Sequence, residues 1–267
     1  MSKHAYPLLI SLVIAVSASC HEGDEHGDHH GGGNWQVLLQ GDGTDAWRGY
    51  NKPELPAGWV VEEGALCLKE PGGGDVITSD KFADFEFVFE WKVSEAGNSG
   101  VMYRVSEGDH APYVTGPEYQ VLDNEKHSDN KTDLTCSGAL YGLYATDRSA
   151  VKPVGQWNQA KILLDGNHLE HWLNGKKVVD CEFGSDDWKK VLSASKFADW
   201  EKFAKNRVGH IALQDHGDQV WYRNMRIRSL GGAHGEHRGD GDGDAPEREH
   251  QQKEEADHEA SPTDVPQ

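Results

Sequence analysis

The residues best suited to chemistry lie in Asn98–Asp123. Two strand-like runs, Asn-Ser-Gly-Val-Met-Tyr-Arg-Val and Gly-Pro-Glu-Tyr-Gln-Val-Leu-Asp, flank a polar loop, Ser106–Thr115. Glu118 and Gln120 stand two residues apart, so both side chains leave the same face of a strand. Arg104 is the cation of the first run, and Asp123 closes the second near its rim. A sheet face carrying Arg, Glu and Gln is costly to bury, because each group must exchange water for a partner. Either water covers it or something polar binds there, and a hydroxyl-rich ligand such as a sugar matches it.

The elements that must position these residues read as strands. In Asp84–Val93 the residues Phe85, Phe87, Phe89, Trp91 and Val93 share one face, with Asp84, Glu86, Glu90 and Lys92 on the other, together with Val88. That is the period of a strand with one buried side. Gln159–Leu164 and His168–Leu173 meet at Asp165-Gly166-Asn167, and Asn174-Gly175 leads into Lys177–Cys181. Asp-Gly and Asn-Gly favour tight turns, so these three runs predict a meander. Gly209–Gln214 and Val220–Leu230 predict a further pair about Asp215–Asp218, and Trp35–Leu39 and Gly64–Leu68 also read as strands. Only Asp186–Phe203 offers helical spacing, enough for one or two short helices or a helical loop. Short strands without alternating helices predict an all-β, two-sheet antiparallel jelly-roll sandwich.

Composition divides the 267 residues into four parts. Residues 1–19 read as a signal peptide, with an apolar run, Tyr6–Val16, too short to span a bilayer. Ser17-Ala18-Ser19-Cys20 resembles a bacterial lipobox with Ser where Leu is usual. The expectation is lipidation at Cys20 and a membrane-anchored lipoprotein of the cell envelope, on the periplasmic or outer-surface face. Residues 20–33, rich in His, Asp and Gly, predict a tether, and 231–267 an acidic, His-containing disordered tail. The body is 34–230. A net charge of −19 repels phosphate backbones, which argues against a nucleic-acid partner. No CxxC occurs, and the spacing of Cys67, Cys136 and Cys181 selects no disulfide pair.

Eight stretches in order carry a resemblance: Phe82–Phe87, Gly97–Gly100, Glu118–Asp123, Ser137–Gly142, Gln156–Asn158, His171–Gly175, Gly209–Gly217 and Arg223–Ile227. Over roughly Trp35–Leu230 the chain resembles the 3-keto-disaccharide hydrolase domain family. The resemblance implies a concanavalin A-like sandwich in an exported bacterial protein. It also implies cleavage of glycosides whose sugar is oxidised to a ketone at C3, by C2 proton abstraction and elimination or net hydrolysis. Such an enzyme, a 3-keto-glycoside hydrolase or lyase, needs a base, an enolate stabiliser and a proton donor.

Mapped on this sequence, the resemblance implies Glu118, His216 and Arg104 as catalytic residues. Gln120, Tyr141, Trp157, Asn158, Gln214 and His171 are implied for substrate, and Glu118, Asp123 and His216 for one divalent metal of unnamed identity. Arg104, Glu118, Gln120 and His216 are expected to share one pocket. Plainer roles stand beside these: a Glu118–Arg104 cross-strand pair, Asp123 as a loop cap, His216 as a turn residue, and Trp157 as core. The competing reading of the whole protein is a non-catalytic, lectin-like carbohydrate-binding module at the envelope.

Overall fold

The computed structural model describes residues 34–231, which form a two-sheet antiparallel sandwich. The expected leader, Cys20, the tether, and the tail beyond Gly231 lie outside the described residues. Among the described residues, thirteen strands and one α-helix follow in chain order. The strands are β1 Gln36–Val37, β2 Trp47–Gly49, β3 Trp59–Glu62, β4 Ala65–Leu68, β5 Val76–Thr78, β6 Phe85–Val93, β7 Asn98–Val105 and β8 Glu118–Leu122, then β9 Asn158–Asp165, β10 His168–Leu173, β11 Lys176–Glu182, β12 His210–Leu213 and β13 Val220–Ser229. Helix α1, Asp186–Ser193, lies between β11 and β12.

The larger sheet has the order β11-β10-β9-β6-β13-β4-β3, with β1 also paired to β13; the smaller is β2-β5-β12-β7-β8. The alternation of Asp84–Val93 places Phe85, Phe87, Phe89 and Trp91 between the sheets, each no more than 1 % exposed. Phe89 meets Tyr119 of the opposite sheet edge-on at 5.6 Å. Each such ring, once buried, stabilises the fold by about 1.5–3 kcal/mol. The β9–β10–β11 meander forms as its turn residues predict. In the helical stretch only Asp186–Ser193 is α-helix. Ser185 caps it by accepting from the Trp188 N–H, and Asp186 and Asp187 complement its N-terminal dipole.

One strand pairing differs from the sequence reading. β12 and β13 do not form a hairpin: β12 lies between β5 and β7 in the small sheet, and β13 between β6 and β4 in the large one. Their loop therefore passes from one sheet to the other. Asp215 accepts the Gly72 and Gly74 N–H groups through Oδ2, at 2.8 and 2.9 Å, and this holds the crossing loop to the glycine-rich segment before β5. Cys67, Cys136 and Cys181 are buried and unbridged.

Candidate active site

β7 and β8 pair antiparallel with Met102 opposite Glu118, Gly100 opposite Gln120 and Asn98 opposite Leu122. Tyr119 and Val121 point into the core, so Glu118 and Gln120 leave the outer face of the small sheet. There they line a cavity of about 360 Å³ with Asn98, Gln214 and His216, and with Tyr141 on one wall. Gln214 is placed by its N–H bond to the Gly100 carbonyl, 3.0 Å. Tyr113, Phe197 and Trp200 add aromatic walls, and Lys196 and Asp129 add charge.

Glu118 sits over Gly100 because that position has no side chain; a Cβ there would lie 1.9 Å from Glu118 Oε1. Burial raises the Glu118 carboxyl to about 8, with Lys196 opposing the shift and Asp75 and Asp129 adding to it. The Gln120 amide lies between its neighbours. Its nitrogen reaches Asn98 Oδ1 at 3.2 Å, which leaves its oxygen facing Glu118. The reversed amide would instead bring the nitrogen 3.0 Å from Glu118 Oε1. A protonated carboxyl suits the first arrangement and an ionised one the second, so amide orientation and protonation are coupled.

At His216 the cleft meets a second group of titratable side chains. His127 follows β8 and His216 lies in the β12–β13 loop; their rings meet edge to face, 5.7 Å between centroids. His127 Nδ1 accepts the Asp129 N–H at 3.0 Å, which leaves Nε2 free to act. His216 Nδ1 lies 3.7 Å from Asp218 Oδ2, and that oxygen accepts the Asn98 N–H at 3.1 Å. One ligand atom from each of His127, His216 and Asp218 lies within 4.8 Å of the others. Beside them, Tyr141 donates to Asp129 Oδ2 at 2.7 Å, and Lys196 Nζ stands 4.2 Å from the Tyr141 ring centroid.

The structure thus brings Glu118, Gln120, Tyr141, Gln214 and His216 to one cleft and takes the other expected residues elsewhere. Arg104 is not in it. Tyr103 and Arg104 bulge against β12, whose pairing shifts between His210 and Ala212, and Arg104 adopts a φ of +52°. The bulge turns the side chain away from the cleft. The guanidinium is buried on Ala83 O, Asp84 Oδ1 and Gly166 O at 2.8–3.1 Å, so Arg104 pairs with Asp84 rather than Glu118.

Asp123 is a cap: Oδ2 accepts the Ala96 N–H, and Oδ1 those of Glu125 and Lys126. That leaves its carboxylate little capacity for a metal. His171 faces the core from β10, bonded to the Tyr103 hydroxyl at 3.0 Å and Gly138 O at 3.1 Å. Burial lowers it to about 3 and keeps it neutral. Trp157 carries Arg223 over its ring at 4.0 Å. Its neighbour Asn158 is buried, with Oδ1 accepting from Lys152 N and Asn174 Nδ2 at 2.8 Å.

The sequence reading missed His127, Asp129, Lys196 and the aromatic wall of Tyr113 and Trp200. All come from loops or irregular turns, where no periodicity marks which side chains point inward. The one available signal was the position of His127 shortly after the Glu118–Asp123 strand.

Known proteins share this arrangement of sheets. Residues 34–228 match the family described as the 3-keto-alpha-glucoside-1,2-lyase-like domain. A 3-keto-disaccharide hydrolase of Bacteroides thetaiotaomicron is 34 % identical over 225 residues, covering 73 % of this chain and 78 % of the relative. Two crystal structures of Parabacteroides distasonis proteins assigned as glycosyl hydrolases superpose on it. The first has a TM-score of 0.69 at 32 % identity, covering 73 % of this chain and 94 % of that one. The second has 0.59 at 28 %, covering 74 % and 100 %. The matched span runs through both sheets and every wall of the cleft. The chain belongs to the 3-keto-alpha-glucoside-1,2-lyase-like domain family.

Proposed function

We propose that the cleft cleaves glycosides bearing a C3 ketone, by elimination across C1 and C2 followed by water addition. The carrying observation is that one cavity is lined by two separate proton-handling groups, Glu118 and His216, the latter clustered with His127 and Asp218. The ketone acidifies the C2 proton. His216, with the Asp218 carboxylate 3.7 Å from its Nδ1, takes that proton, and the C2–H electron pair passes to the enolate. The enolate then expels the C1 oxygen as the C1–O bond breaks. Glu118 holds its proton near neutral pH, which suits it to protonate the departing oxygen rather than to act as the base. Gln120, Asn98 and Gln214 offer amides to the sugar hydroxyls, and Trp200 offers an aromatic face to its C–H surface.

A divalent cation fits the same three residues, since two imidazoles and a carboxylate make an ordinary N/O donor set. Asp123 drops out of that set because three backbone N–H groups occupy its oxygens. A bound cation would supply Lewis-acid stabilisation of an enolate oxygen, and His216 would then be a ligand. Incubation with a 3-keto-glucoside tests both readings. Release of the aglycone in the presence of EDTA supports His216 as base; release only after Mn²⁺, Co²⁺ or Zn²⁺ is restored supports the cation. Saturable binding without release, with or without metal, would leave the lectin-like reading. The same proposal places the protein at the bacterial envelope through lipid on Cys20, which labelling with radioactive palmitate and its loss in Cys20→Ala would test.

A further inference from the structure

The opposite side of the sandwich carries a second concavity that the cleavage reaction does not use. One cross-strand row on the outer face of the large sheet reads Trp172, Lys161, Val88, Arg226, Val37, by direct register from β10 through β9, β6 and β13 to β1. An outward sheet face is normally polar, yet apolar residues here alternate with cations. The next row, Gln159, Glu90 and Arg223, is polar throughout. Between Arg223 and Arg226 the β13 pairing slips, with Asn224 at φ +52°. A bulge within a sheet bends the strand and re-aims its side chains. The result is a trough of about 640 Å³ with Val88 in it, Trp172 at one end and Val37 at the other. That volume lies within the range of small-ligand sites.

Trp172 is held rigidly: its indole N–H donates to Glu170 at 2.7 Å, and Lys161 Nζ packs 4.4 Å from its ring centroid. Arg226, in the middle of the row, has no carboxylate partner among the described residues and packs over the Trp35 ring, 4.9 Å from its centroid, while the neighbouring charges are paired. Arg223 bonds Glu90 at 2.7 Å, and Lys161 faces Glu86 at 3.7 Å. A cationic occupant would face Lys161 and Arg226, and an anionic one would have to draw Lys161 from Glu86 and Arg226 from the Trp35 ring, whereas a neutral ligand need do neither. Paired carboxylate and guanidinium edges and the Gln159 amide offer donors and acceptors side by side, which suits vicinal hydroxyls. Trp172 and Val88 offer apolar surface that suits the C–H face of a sugar ring.

We infer that this trough is a second, non-catalytic binding site for a neutral glycan chain, on the face of the sandwich away from the cleft. The site holds unoxidised glucan, so it is separable from the cleavage reaction and from its failure.

The test is titration of the full chain with cellohexaose and with maltohexaose, followed through tryptophan indole N–H resonances. The expected result is saturable movement of the Trp172 signal by at least one of the two. That movement persists in Gln120→Ala, and binding weakens about tenfold or more in Trp172→Ala. Gln159→Ala, which removes only a rim amide, weakens binding in the same direction and serves if the tryptophan variant does not fold. Saturable movement confined to Trp200, loss of binding in Gln120→Ala with none in Gln159→Ala, or no saturation by either glucan overturns the inference. So does preferential saturation by a sulfated oligosaccharide.

Discussion

Glu118 and Gly100 face each other across neighbouring strands so closely that a methyl group on Gly100 would lie 1.9 Å from Glu118 Oε1 and 2.6 Å from its Cδ. Gly100 is not among the residues with positive φ, so alanine meets no backbone strain there. Its consequence is local eviction of the carboxyl. Gly100→Ala is expected to cost about 1–3 kcal/mol of stability, typical of overpacking. It is also expected to reduce kcat by about 10²–10⁴, the scale of a displaced acid or base. Thermal unfolding and steady-state turnover of a 3-keto-glucoside check the two effects. A well-folded variant of normal rate would remove Glu118 from the chemistry.

The raised Glu118 carboxyl also links proton binding to stability. Between its ordinary value of 4.5 and about 8 the folded state binds this proton and the unfolded chain does not. The contribution to stability is therefore full below about 4.5 and lost as pH rises through about 8. Glu118→Gln keeps the shape and cannot ionise. It is expected to lose turnover yet melt higher than the parent at pH 8, by roughly 2–4 °C for each kcal/mol relieved. Turnover of the parent should fall as pH rises through the same value. Paired melting curves at pH 5 and 8 provide the check, the gap widening at the higher pH.

Arg104 illustrates what the sequence could and could not show. Strand alternation reveals the inward row of Phe85, Phe87 and Phe89, because one sheet face must be apolar to form a core. It likewise sends Glu118 and Gln120 to the same side of β8. A bulge leaves no such mark, and it is the bulge against β12 that turns Arg104 away from the cleft. The β12–β13 loop is similar. Asp-His-Gly-Asp reads as a hairpin turn, and only the bonds from Gly72 and Gly74 to Asp215 make it a bridge between sheets. Lys196 and Trp200 reach the cleft through irregular turns after α1, where spacing carries no directional information.

From that placement, Arg104→Met is expected to act on the fold rather than the reaction. It strips a buried guanidinium from Asp84, Ala83 O and Gly166 O. Breaking one side of a buried pair costs about 3–5 kcal/mol. Denaturant unfolding should show that loss, with KM and kcat of the folded fraction close to the parent.

Tyr141 and Asp129, joined at 2.7 Å, both line the cleft. Tyr141→Phe removes the hydroxyl and frees Asp129, whose charge also acts on Glu118. The expected outcome is a displaced alkaline limb in the pH–rate profile together with a changed kcat. A fall in rate with an unmoved limb would mean that the pair does not communicate with Glu118.

The central claim is removal of the C2 proton, and a substrate labelled there tests it most directly. A 3-keto-glucoside carrying deuterium at C2 is cleaved in ordinary water, with an enzyme-free control for background exchange. Elimination followed by hydration predicts a slowed reaction and a released sugar that has lost its deuterium to solvent. A released sugar that keeps the label at C2, formed at the unlabelled rate, would mean direct displacement at C1 and would contradict the account.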